Sequence, residues 1–146
     1  MRIGAVAENL LERVALLLGL GPRPLLETHT TLLLAQSVMA ATRLGVFEVL
    51  EPAALTGPEV AARCGTDEVA TRKLLDALAA TGYLRVSHGS YALTADARTW
   101  LLKDSPQSLH DSVLFRFVEW EWIGGLERFV RTGRPLDIHA EMSSEQ

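Results

Sequence analysis

A chain of 146 residues with 48% apolar and 22% charged side chains has room for one folded domain with a real core, and is neither a disordered tail nor two full domains. Its net charge of −4 lacks the basic surplus of a nucleic-acid binder. A single cysteine, Cys64, excludes an internal disulfide or a cysteine metal cluster, and no apolar run reaches the roughly 18 residues that span a bilayer.

Ile3, Val6, Ala7, Leu10, Val14, Leu17 and Leu18 recur at helical spacing while Arg2, Asn9, Glu12 and Arg13 fall elsewhere, which predicts an amphipathic helix over residues 3–18. Its end, "VALLLGLG" (14–21), reads as helix rather than signal peptide, because Glu8, Glu12 and Arg13 precede it and no small-x-small cleavage site follows. The expected location is cytoplasmic. "GLGPRP" (19–24) stops the helix; it makes a poor phosphate loop, since Pro22 has no backbone N–H and no strand leads into it.

A second helix is expected from Leu25 to Leu44, closed by Gly45. Its apolar residues lie nearly all the way round, so every side must be covered. A chain this small can hardly enclose one of its own helices. A partner chain is the natural cover, with Leu32, Leu33, Leu34, Val38 and Met39 as the expected interface; a central helix in a compact monomer is the other reading.

"LTGPEVAARCG" (55–65) has Thr56 and Glu59 at capping-box spacing, Pro58 in the first turn and Gly65 as the C-cap. "TDEVATRKLLDALAATG" (66–82) repeats the device, with Thr66 as the expected N-cap and Gly82 as the stop. Its expected buried stripe is Ala70, Leu74, Ala77, Leu78 and Thr81, with Leu75 at the margin; Arg72, Lys73, Asp76 and Ala80 face out. "YLRV" and "YALT" around "SHGS" signal a β-hairpin, and Thr94 can cap a further helix carrying Ala97, Trp100 and Leu101. Two short helices followed by a hairpin make a winged helix-turn-helix. The segment from Pro106 to Thr132 is a long helix or a helix pair stopped by "TGRP". Within it, Phe117 and Trp120 can serve one face while Phe115, Val118 and Trp122 serve the other. Trp120 therefore joins the expected interface.

No active site is visible. His29 lies in the apolar helix and reads as a hydrogen-bonded interface residue, and His88 sits at the solvated hairpin tip. His110 and Asp111 are helix neighbours, expected not to face one another; His139 and Glu141 lack metal-ligand spacing. Cys64 reads as a small core hydrophobe. No glycine loop follows a strand, so no nucleotide site, metal site, catalytic residue or cofactor-binding residue is assigned to this chain. The winged-helix segment, residues 56–94, has four basic and four acidic residues, and Asp67 and Glu68 occupy the tip that would approach a DNA groove.

The pieces "LGVFEVL", "LTGPEVAARCG", "RKLLDALAATGYL", "YALT" and "VRTGRPL", in this order, make nearly the whole chain, most firmly residues 41–109, resemble the N-terminal dimerisation (winged-helix) domain of S-adenosylmethionine-dependent small-molecule O-methyltransferases. The resemblance implies a mainly α fold: a winged helix-turn-helix core (46–104) between dimerisation helices (1–45) and C-terminal helices leading to an absent catalytic domain (105–146), all one domain. It implies a homodimer with neither nucleic acid nor membrane as partner. The intact enzyme would move a methyl group from S-adenosylmethionine to a small-molecule hydroxyl, while this chain, which reads as truncated, would hold no cofactor and be inactive alone. Long helices of such domains also wall the acceptor pocket, for which Met39, Phe115 and Trp122 are the candidates here. A dimeric winged-helix regulator that binds DNA, and an interaction module that pairs with a full-length paralogue, are the alternatives from other classes.

Overall fold

A computed structural model describes residues 9–18 and 23–135. Helix α1 spans Leu10–Leu17, so the first half of the expected N-terminal helix lies outside the described residues. Helix α2 runs Arg23–Arg43, two residues earlier than expected, because Pro24 falls in the first turn, where its missing donor costs nothing. The chain then turns at Gly45 into the short α3, Val46–Val49.

Helix α4, Gly57–Cys64, opens on the expected capping box: the Thr56 N–H and hydroxyl both donate to Glu59 Oε2, at 2.8 and 2.7 Å. Those donors hold the Glu59 carboxyl below its ordinary pKa. Gly65, at φ 66°, closes the helix. Helix α5 spans Glu68–Ala80, and its cap corrects the sequence reading. Asp67, not Thr66, accepts the Ala70 N–H at 2.8 Å. Thr66 still closes α4 through its N–H to the Ala61 carbonyl, and its hydroxyl is taken by the Thr71 hydroxyl at 2.6 Å, so Asp67 supplies the capping oxygen.

The buried face of α5 is also turned from the expected one. Thr71, Leu75 and Leu78 are buried, whereas Ala70, Ala77 and Thr81 are exposed. Burying a leucine removes far more apolar area from water than burying an alanine, so the two leucines set the docking angle. Thr71 follows them inward because its hydroxyl is satisfied by the Asp67 carbonyl and the Thr66 hydroxyl, at 2.7 and 2.6 Å.

Strands β2, Leu84–Ser87, and β3, Ser90–Leu93, form the hairpin. A third strand, the two-residue β1 at Leu55–Thr56, pairs antiparallel with β3 and gives the order β1-β3-β2. Two residues carry no alternation, so β1 left no trace in the sequence. Thr94 caps α6, Ala95–Trp100, as expected, accepting the Ala97 N–H. The C-terminal segment is a helix pair, α7 at His110–Ile123 and α8 at Leu126–Thr132, separated at Gly124–Gly125. Phe47, Leu50, Leu75, Leu78 and Leu93 are fully enclosed and form the centre of the core, joining α3, α5 and β3. The fold is mainly helical with a small antiparallel sheet: a winged helix flanked by long helices.

Candidate dimerisation surface

Helix α2 is divided along its length. Its C-terminal half is covered by its own chain: Val38, Met39 and Ala41 are buried, and Thr42 joins them by donating its hydroxyl to the Val38 carbonyl at 2.9 Å. Its N-terminal half is not, and Leu25, Leu32 and Leu33 remain 62%, 47% and 52% exposed. Helix α1 presents Leu10, Leu11, Val14 and Leu17 to solvent, as does Leu18 just after it, and the α7–α8 region presents Ile123, Leu126, Phe129 and Val130. Exposed apolar side chains in this number make these helices candidates for association.

Between α2 and α7 runs an open apolar groove of about 370 Å³. Leu34, Val38 and Met39 form one wall; Val113, Trp120 and Ile123 form the other, spaced i, i+7 and i+10 so that they share one face of α7. The Arg43 guanidinium lies over the Phe117 ring, 3.2 Å from its centroid, and fastens the two helices beside the groove. Phe115 and Trp122 meet edge to face on α7, with centroids 5.7 Å apart. The groove thus unites Leu34, Val38, Met39 and Trp120, leaves Leu32 and Leu33 exposed nearby on α2, and does not include the Phe115–Trp122 pair. Val113, Ile123 and Tyr83 were absent from the sequence-derived surface. The heptad relation of Val113 to Trp120 was the available signal for the first; Tyr83 reaches the groove only through tertiary packing.

The titratable inventory adds little chemistry. His29 and His88 are exposed. His110 corrects the expectation that it and Asp111 do not face one another: its Nδ1 lies 2.8 Å from Asp111 Oδ1. His110 is the first residue of α7, where no preceding turn confines the ring, so the neighbour rule of helix interiors does not apply. Cys64 is half-buried against the core; burial, with the Glu48 charge second, pushes its thiol up and makes it a poor nucleophile near neutral pH. Among the described residues no group of three or more His, Cys, Asp or Glu side chains could hold a metal ion, and no helix is long and apolar enough to cross a membrane.

A winged helix whose outer helix carries no basic surplus, set between helices with uncovered leucines, defines an association domain. The family model of the O-methyltransferase dimerisation domain matches residues 26–103, and the chain belongs to that family. A human protein described as a probable bifunctional dTTP/UTP pyrophosphatase/methyltransferase is 28% identical over 114 residues, which is 77% of this chain and 18% of the human one. Human N-acetylserotonin methyltransferase, solved in complex with SAM, superposes with a TM-score of 0.70 at 25% identity over 89% of this chain and 37% of its own. CalO1, a methyltransferase of calicheamicin biosynthesis solved with SAH bound, superposes at 0.67 with 27% identity, over 92% of this chain and 39% of its own. The chain therefore spans less than a fifth of the human relative and under two fifths of these solved proteins.

Proposed function

We propose that the chain pairs with a second copy of itself as the dimerisation part of an S-adenosylmethionine-dependent small-molecule O-methyltransferase. The observation that carries this reading is the uncovered N-terminal half of α2, where Leu25, Leu32 and Leu33 stand in water. A homodimer would cover Leu32 and Leu33 directly and use the groove of Leu34, Val38, Met39 and Trp120 as the adjoining contact. In the whole enzyme the reaction would be methyl transfer to a hydroxyl, in the cytoplasm, with Met39, Phe115 and Trp122 contributing to the acceptor pocket wall. The division into helices 1–45, winged helix 46–104 and connecting helices 105–146 belongs to the same proposal.

S-adenosylmethionine would need a strand ending in a glycine-rich turn that opens a helix. The described sheet is antiparallel, and its one tight turn, at His88–Gly89, joins two strands, so these residues do not fit the cofactor and none is assigned to it. Nor does the winged helix favour DNA: the outer face of α5 sets Asp76 beside Arg72 and Lys73, which gives phosphates little to hold.

The test is a charge placed on the uncovered leucines. Leu33→Asp is expected to convert the dimer to monomer in sedimentation while leaving the helical circular dichroism unchanged, since the side chain touches solvent within one chain. A variant that stays dimeric would place the interface elsewhere.

A further inference from the structure

A second recess, polar and about 400 Å³, forms where α2, α3, the segment after α6 and the start of α7 meet. Thr42, Arg43, Glu48, Lys103 and His110 line it. Both carboxylate oxygens of Glu48 are buried there without a hydrogen-bond partner. The Glu48 side chain as a whole is 35% exposed, so that exposure belongs to its carbon stem. His110 is the group aimed at it. Its side chain is 13% exposed, with Nε2 3.9 Å from Glu48 Oε1 and Nδ1 2.8 Å from Asp111 Oδ1.

A neutral imidazole has one N–H, and an ionised carboxylate can only accept. The short contact to Asp111 draws that hydrogen to Nδ1 and leaves a bare lone pair on Nε2 facing Glu48. A second proton on the ring gives Nε2 a hydrogen and gives both carboxylates a cationic partner. The other charged groups around the site are Arg43 on α2 and Lys103 after α6, and Cys64 on α4 feels the Glu48 charge. The two cations oppose a charge on His110, yet neither donates a hydrogen bond to Glu48, and the Arg43 guanidinium is occupied by the Phe117 ring.

We propose that Glu48, His110 and Asp111 form a proton-operated clip, in which protonation of His110 ties the first turn of α7 to α3. The proton comes from solvent and returns to it. Because α7 supplies one wall of the apolar groove, the clip links the shape of that groove to acidity. The sign follows from the charges: the tie is present when the imidazole is protonated and is lost as pH rises. The clip lies within one chain and stands independently of the dimer.

Amide hydrogen exchange tests it, with α7 referenced to α5 in the same molecule and measured at about pH 8 and about pH 5.5, either side of the range in which imidazoles ordinarily titrate. Relative protection of α7 is expected to be about twofold to fivefold higher in acid, the size of a partly exposed ion pair. The dependence should vanish in both His110→Gln and Glu48→Gln. The second variant keeps the shape of the side chain, removes its charge and puts an amide donor in place of one carboxylate oxygen, and α5 protection reports whether each variant is folded. A purely structural contact would change protection equally at both pH values. Equal protection of wild-type α7 in acid and base, or a dependence that survives either substitution, would overturn the proposal.

Discussion

His88 and Gly89 both adopt positive φ, 49° and 79°, so the hairpin closes through two successive left-handed residues. That is the turn whose twist matches the strands, and its second position suits glycine best. A Cβ at Gly89 would meet no atom within 4 Å, so Gly89→Ala isolates the backbone cost. We expect it to lower stability by about 1–2 kcal/mol in urea unfolding. Within the hairpin, the Tyr91 hydroxyl on β3 donates to Asp76 Oδ1 on α5 at 2.6 Å. Burial first, then this bond, pushes the phenol up to about 12. The neutral phenol is thus favoured in the folded chain: its stabilisation is complete below pH 10 and is lost as pH rises from 10 towards 12. Wild type should exceed Tyr91→Phe by about 1 kcal/mol near neutral pH. That margin should shrink in alkali, and a constant margin would show that the phenol's ionisation is not linked to folding. The Thr56–Glu59 box was legible because both partners lie within one turn of sequence. The Asp67 cap was not, because the competing use of Thr66 is set by how the preceding helix ends.

At the scale of elements, spacing located α5 but not its facing. Helical periodicity cannot choose between Leu74 and Leu75 as the centre of a stripe when alanines flank both; α2, α4 and the hairpin make that choice by packing on one side. The same limit applied to α2, whose apolar residues are spread round the helix in sequence, yet whose burial is confined to the half that α3, α5 and α7 reach. α3 was legible only as part of "LGVFEVL", although it carries Phe47, one of the largest fully enclosed side chains. Phe47→Ala should cost about 3–5 kcal/mol, through lost burial and the cavity left behind. Denaturant unfolding that shows less than about 1 kcal/mol would mean the core closes over the gap.

For the molecule as a whole, the winged-helix core and its flanking helices were readable from caps, glycine stops and the order of short motifs, all of which are local signals. The surfaces proposed for association were readable only in part. Leu32 and Leu33 stood out as apolar excess, whereas the groove needed α7 laid against α2 before Val113, Tyr83 and Ile123 could join Met39 and Trp120. Neutral charge over residues 56–94 and uncovered leucines over α1 and α2 point the same way, towards a protein partner rather than a nucleic acid. The most direct test is the mass of the unmodified chain in solution, by light scattering at micromolar concentration. Twice the mass of one chain is expected. A monomeric mass would contradict it and leave the leucines of α2 without a purpose.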